Sequence, residues 1–191
     1  SGIKDIDAPT DLCLASVLYD TAERYGVRYI IEGHSFRTEG IAPLDWVYMD
    51  GRYIKSIHKQ FGQMPMKTYP NMFLWQFIRW STLRGIKRIR PLYYLDYDKE
   101  KVKKLLSEKY EWQWYGGHHL ENRFTAFTHL FWLPERWKND LRLLGHAANV
   151  RTGMLAREKA IDSLKEPVIC PDELLALVKK RLNFTGEEFD R

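Results

Sequence analysis

The segment GHSFRTEG, residues 33–40, gathers side chains suited to holding an anion. Gly33, His34 and Ser35 supply a turn, an imidazole and a hydroxyl. Arg37 offers a planar fork that can grip a phosphate through two parallel hydrogen bonds, a charged contact worth about 1.5–3 kcal/mol. Thr38 and Glu39 follow. The plainer readings are a turn glycine, a solvent-facing histidine and an Arg37–Glu39 surface ion pair. A second set, Arg52, Lys55 and Lys59, recurs at helical spacing as a basic stripe, with His58 beside it. Such a stripe can reach a diphosphate or merely meet water. A third set, His118, His119, Glu121 and His129, raises the question of a metal. Adjacent histidines cannot both point at one ion from a helix, and HxxxH spacing is absent, so no protein-bound metal is expected. Glu121, Asn122 and Arg123 are better placed to line a sugar pocket. Arg151 and Thr152 read as preceding a helix, where they could meet an anion or cap the helix.

These groups need elements to position them. PTDLCLASVLYDTAERYG reads as a helix with Pro9 in its first turn, Ala15, Leu18, Ala22 and Tyr25 on its apolar face, and Gly26 as its stop. VRYIIEG reads as a short buried strand that delivers the Gly33-His34-Ser35 turn. Helix, glycine stop and strand make one step of a parallel sheet, and such sheets bind ligands beyond the carboxyl ends of their strands. DGRYIKSIHKQFG predicts an amphipathic helix with Ile54, Ile57 and Phe61 along its seam. PNMFLWQFIRWSTLRG predicts a deeply packed one. KRIRPLYYLDYD offers a second strand, broken at Pro91, and Asp98 is placed to cap the charged helix after it. Beyond an aromatic block, Thr125, Thr128 and His129 extend the Glu121–Asn122 stripe along an apolar helix, facing a cleft or a buried network. Most of the Trp and Tyr side chains are expected in the core. Further surface helices follow, and Thr185 with Glu188 forms a capping box. The chain is therefore expected to be α/β and helix-rich. Residues 1–95 carry the sheet, and residues 96–191 form a helical region that is expected to belong to the same compact unit.

With 191 residues, 45% of them hydrophobic and 14% aromatic, the chain can bury a core. The net charge of +5 and isoelectric point near 9.1 favour anionic partners without choosing among nucleotides, phosphorylated sugars, RNA and acidic lipid. Cys13 and Cys170 form no CxxC pair, so neither a zinc framework nor a disulfide scaffold is indicated, and a reducing cytoplasm fits. No apolar run approaches the roughly 18 residues of a membrane span.

Several runs, APTDLCLASVLY, EGHSFRTEG, YMDGRYIKSIHKQFG, YGGHHLENRFTAFTHLFWLPERW and NVRTGMLAREKA, resemble the N-acetyl sugar amidotransferases of bacterial surface-polysaccharide assembly. That family lies within the PP-loop (adenine nucleotide alpha hydrolase-like) ATP pyrophosphatases, and the likeness covers nearly the whole chain. It implies a parallel-sheet domain that binds ATP with its magnesium counter-ion and a nucleotide-linked N-acetyl sugar. Adenylation of the acetamido oxygen releases pyrophosphate. Ammonia from a separate glutaminase partner then displaces AMP and leaves an acetamidino group, in the assembly of lipopolysaccharide O-antigen. The likeness sets Gly33, His34 and Ser35 by the adenylate; Arg37 and Thr38 of the same loop join them as nucleotide-binding candidates, and Arg52, Lys55, Glu121, Asn122, Arg123 and Arg151 are the substrate-binding candidates. The opening SGIKDID is close to the family's SGGKDS pyrophosphate loop but departs from it. Ile3 stands where a second glycine is needed, Ile6 lacks the hydroxyl, and the segment directly abuts a helix that matches the family's middle. The expectation is a C-terminal portion whose loop and strand lie in an N-terminal half, a separate subunit or another copy, and which does not turn over ATP alone.

Two other readings stand beside this one. A PP-loop enzyme acting on transfer RNA suits the basic charge but usually carries paired cysteines, which disfavours nucleic acid here. A non-catalytic module would dock a glutaminase or complete another subunit's sheet.

Overall fold

In the computed structural model, which describes residues 2–43, 50–117 and 119–189, the chain divides into two units. One comprises Ser1–Phe36 with Ile41–Asp96, the other Arg37–Gly40 with Tyr97–Arg191. Ser1 of the opening segment and His118 of the histidine pair lie outside the described residues.

The first unit is organised by helix α1, Ala8–Arg24, with Pro9 in its first turn and Asp11 and Arg24 matched to the helix dipole. Asp5 accepts a hydrogen bond from the Asp7 amide at 3.1 Å, folding the opening segment into the start of α1. Gly26, at φ +67°, takes the left-handed turn that ends the helix. Strand β1, Tyr29–Ile31, pairs in parallel with β2, Lys87–Ile89, in the register Tyr29↔Lys87. Between them lie α2, Phe36–Glu39, whose last three residues belong to the second unit, then α3, Gly51–Phe61, and α4, Leu74–Ile78. The last continues as a wider π-wound turn, Arg79–Leu83. Asp50 caps α3 by accepting from the Tyr53 amide at 2.6 Å.

Two apolar clusters hold this unit. Tyr19, Ala22, Ile30, Trp80 and Ile86 form one; Ala8, Leu12 and Ile54 form the other. Tyr19 stacks on Trp80 at 5.3 Å, and the Trp80 indole N–H donates to Glu23 at 2.8 Å. Glu23 also pairs with Arg84 at 2.6 Å and with Arg79.

Four expectations are corrected in this unit. The buried face of α1 is Ala8, Leu12, Ser16, Tyr19 and Ala22, while Leu18 and Tyr25 are exposed. The helix has apolar residues on two faces, and periodicity alone cannot say which one meets β1. Strand β1 is buried only at Ile30; Tyr29 is 59% and Ile31 75% exposed. The α4 region anchors through Trp80 but leaves Leu74, Trp75, Ile78 and Leu83 exposed, and Phe61 of the α3 seam is exposed as well.

The second unit is helical. Its elements after α2 are α5, Lys99–Tyr110; α6, Arg123–Phe127, extended by a π-wound stretch Thr128–Arg136; α7, Arg142–Arg151; α8, Arg157–Lys165; α9, Asp172–Leu182; and α10, Gly186–Phe189. Asp98 caps α5, accepting from the Glu100 and Lys101 amides at 3.0 and 3.2 Å. Those backbone bonds, led by the one from Lys101, hold its carboxyl below the usual range. The π-wound stretch absorbs Pro134, which has no N–H for a regular ladder. Phe127, Phe131 and Phe189 stack, closing α10 onto the α6 extension. Thr185 and Glu188 make the reciprocal bonds of a capping box, at 2.9 and 3.3 Å. Arg142 holds Asp140 and the carbonyls of Ser163 and Glu166, tying α7 to the end of α8.

The chain is thus α/β and helix-rich, with a two-stranded parallel sheet. No described helix is long and apolar enough to cross a membrane.

Candidate functional site

Lys87 donates its amide hydrogen to the Arg28 carbonyl at 2.8 Å, and Glu32 donates to the Ile89 carbonyl at 2.9 Å. The β1–β2 ladder therefore runs one residue past each strand end and fixes Glu32 at the mouth of the Gly33-His34-Ser35 turn. Arg88 of β2 and Arg90 just past its end close on its carboxylate, at 3.1 Å and 2.8 Å. Partial burial pushes the Glu32 carboxyl up. The Arg90 hydrogen bond and the charges of Arg88 and Arg90 outweigh this and hold it below the usual carboxylate value. Arg90 also meets the Tyr93 hydroxyl at 3.4 Å and lies over that ring, with its guanidinium carbon 5.4 Å from the centroid. Tyr93 in turn lies beside His34, centroids 6.0 Å apart, and takes Phe36 edge-on at 4.9 Å.

The outer side of β2 opens into a cleft of ≈ 610 Å³, within the roughly 300–1,000 Å³ of small-molecule sites. Residues 86–90 form its floor, and Tyr19, Phe77, Ser81, Tyr93 and Tyr94 form its walls. Two guanidinium groups against one carboxylate leave the carboxyl end of the sheet positive, with aromatic faces beside it. Such a surface suits a planar, anionic ligand.

Among the residues singled out in the sequence, Gly33 is exposed, His34 is half-buried and Ser35 is fully buried, all at this strand end. Arg37 and Thr38 are packed in the second unit. The Arg37 carbonyl lies 3.4 Å from the Thr152 hydroxyl, and Thr38 is only 7% exposed. Arg52, Lys55 and Lys59 lie exposed on the outer face of α3. In the second unit, Glu121, Asn122 and Arg123 are exposed at the start of α6. The Asn122 side-chain oxygen caps that helix, accepting from the Phe124 and Thr125 amides at 3.0 and 3.3 Å, which leaves its amide hydrogens for other partners. The stripe expected to run on from these residues divides: Thr125 and Thr128 are buried, His129 half-buried. Arg151 ends α7 rather than preceding a helix, and Thr152 is its C-cap. The basic side chain there faces the negative end of the helix dipole, so the reading of an anion at a helix start is corrected. Among the described residues no three His, Cys, Asp or Glu side chains are grouped to hold a metal ion.

Residues 121–191 match the family model described as LPS biosynthesis protein WbpG-like, C-terminal domain. This WbpG-like segment begins at the Glu121-Asn122-Arg123 turn and carries α6 to α10. The match suggests involvement in lipopolysaccharide biosynthesis. No curated protein and no solved structure gives a significant match.

Sequence reading missed Glu32, Arg88, Arg90 and Tyr93. A signal was present: KRIR places its second and fourth residues on one face of a strand, opposite an acid that ends a parallel neighbour. Replacing Glu32 by glutamine gives a pH-dependent test. A carboxyl held low in the folded state stabilises it above the unfolded value, 4.5, and that contribution is lost as pH falls through the lower folded value. The parent is therefore expected to lose melting temperature below about pH 4.5 more steeply than Glu32→Gln. At neutral pH the variant should be less stable by about 1–2 kcal/mol. Thermal melts across an acid series check both.

Proposed function

We propose that the chain contributes to an ATP-dependent amidotransferase that converts the acetamido group of a nucleotide-linked sugar into an acetamidino group. The observation that carries this reading is the WbpG-like match over residues 121–191. The positive, aromatic-walled end of the β1–β2 sheet supports a nucleotide there.

In the proposed reaction the amide oxygen attacks the α-phosphorus of ATP, the bond to pyrophosphate breaks, and pyrophosphate leaves. Ammonia, supplied by a glutaminase partner, then adds to the activated carbon. AMP departs with the original amide oxygen, leaving an amidine. Gly33, His34 and Ser35 of the first unit are assigned to the nucleotide, with Arg88 and Arg90 added for the positive field they create beside His34. Within the second unit, Glu121, Asn122 and Arg123 at the start of α6 are assigned to the sugar substrate. Catalysis rests on orientation and on stabilising charge that develops around phosphate.

The sheet supports a complementary reading, in which the first unit completes a larger parallel sheet with strands from another polypeptide or segment. Alternate peptide groups of β1 face β2, so those of Tyr29 and Ile31 face the opposite edge, beside exposed apolar side chains. Parallel sheets normally have covered faces. The pyrophosphate-gripping loop would arrive with those strands.

The test mixes the chain with a polypeptide bearing the SGGKDS loop and measures ATP–pyrophosphate exchange with a nucleotide-linked N-acetyl sugar. Sugar-dependent exchange by the mixture supports the reading. Absence of exchange at saturating sugar counts against it, and RNA binding that falls steeply with salt would favour the transfer-RNA alternative.

A further inference from the structure

Most of the Trp and Tyr side chains are expected in the core, but Trp114 and Tyr115 lie exposed in the second unit, with Trp112 and two lysines of α5 beside them. Trp114 and Tyr115 are 40% and 42% exposed and stack at 5.1 Å, with Trp112 5.8 Å from each. The ammonium groups of Lys103 and Lys99 lie 3.8 and 5.6 Å from the centre of the same Trp114 ring. These lysines are one helical turn apart, so the helix face itself holds two like charges together. Lys103 is paired with Glu100 at 2.7 Å. Burial, then the neighbouring Lys103 charge, push the Lys99 ammonium below its usual value; Glu39 and Glu100 offset part of this. The Tyr115 phenol is raised by burial, then by the negative charge of Glu121 and its hydrogen bond.

We propose that this platform is a binding site for a nucleoside diphosphate, with the base laid on the exposed Trp114–Tyr115 pair and the phosphates on Lys99 and Lys103. Three features set it apart from an ordinary surface. Tyr115, 42% exposed, and the part of Trp114 that Tyr115 and Lys103 leave uncovered offer π surface for a base, which stacks on aromatic side chains without demanding one sequence of donors. Two ammonium groups beside that surface match two adjacent phosphates and would be relieved by them. Glu121, the first residue of the WbpG-like segment, hydrogen-bonds with Tyr115 and adds an acceptor for sugar or base donors beside the rings. The assignment of this nucleotide to the substrate's sugar handle rests on the amidotransferase reading; the site itself does not.

The test follows binding of uridine diphosphate and adenosine diphosphate to the full chain by calorimetry. Uridine and inorganic pyrophosphate serve as controls, and Trp114→Ala, Trp114→Phe and the double variant Lys99→Met with Lys103→Met are compared with the parent. At least one diphosphate should bind. Trp114→Ala and the double variant should each weaken it about tenfold or more, while Trp114→Phe, which keeps a ring, should retain most of the affinity. Both controls should bind much more weakly than the diphosphate. Preference for the uridine form assigns the platform to a nucleotide-linked sugar, and preference for the adenosine form assigns it to ATP. The proposal is overturned if neither diphosphate binds, if pyrophosphate binds as tightly as the best of them, or if variants with parental melting curves bind as the parent does. Diphosphate binding that depends on Trp114, found together with no pyrophosphate exchange, would leave the site standing and remove the amidotransferase reading.

Discussion

Replacing Trp80 by alanine is expected to cost the first unit about 3–5 kcal/mol, enough to threaten its folding. The side chain is 3% exposed and sits where three elements meet: it stacks on Tyr19 of α1, touches Ile30 of β1, and packs against Ile86 ahead of β2. Its removal deletes a large apolar volume that stiff neighbours cannot refill. It also takes the indole N–H from Glu23, leaving that carboxylate to Arg79 and Arg84. Tyr19 and Phe77, which meet edge-to-face at 5.7 Å, line the cleft on β2, so the damage would reach the candidate site as well. Urea unfolding of the variant measures the loss. Trp80→Phe should recover a large part of it, because it restores the stack but not the hydrogen bond to Glu23.

The second large effect concerns Gly40, and Gly153 supplies its control. Both glycines sit at φ +73°, a conformation that costs any other L-residue about 1–2 kcal/mol. They differ in what surrounds them. A methyl group at Gly40 would lie 2.6 Å from the Leu144 carbonyl oxygen and 3.6 Å from the Ala148 side chain, whereas at Gly153 nothing stands within 4 Å. The close approach is backbone against backbone, so relief requires α2 and α7 to separate. Gly40→Ala is therefore expected to destabilise by about 2–4 kcal/mol, combining the conformational cost with overpacking, and Gly153→Ala by only about 1–2 kcal/mol. Equal losses in the two variants, read from denaturant midpoints, would show that the Leu144 contact carries no weight.

Features set by one or two residues were legible in the sequence. Gly26 stops α1, Asp98 caps α5, and Thr185 with Glu188 opens α10, because each depends on local backbone chemistry that side-chain type declares. Both strands were also found where short β-rich runs are bounded by turns. Faces were harder to read. With Leu12 and Tyr19 on one side of α1 and Leu14 and Leu18 on another, burial depends on partners distant in sequence. The same limit hid which aromatic residues, Trp114 and Tyr115 among them, stay outside the core. An exposed aromatic and a buried one have the same spelling, and only the fold shows that Lys99 and Lys103 arrive beside these two. Arg151 was misplaced because the RTG turn after it resembles a helix start, while Thr152 in fact closes a helix by bonding back to the Ala148 carbonyl at 2.9 Å. The Glu32–Arg88–Arg90 cluster needs the register of two strands more than fifty residues apart in sequence, which no local pattern encodes.

The proposed chemistry turns on where one oxygen atom goes. A nucleotide-linked sugar labelled with heavy oxygen in its acetamido carbonyl is supplied with ATP and ammonia to the chain combined with its loop-bearing counterpart, and the phosphorus products are weighed by mass spectrometry. Transfer of the label to AMP, one atom for each amidine formed, is the predicted result. Label retained in the sugar, or recovered in inorganic phosphate while AMP stays unlabelled, would contradict adenylation of the amide and with it the proposed function.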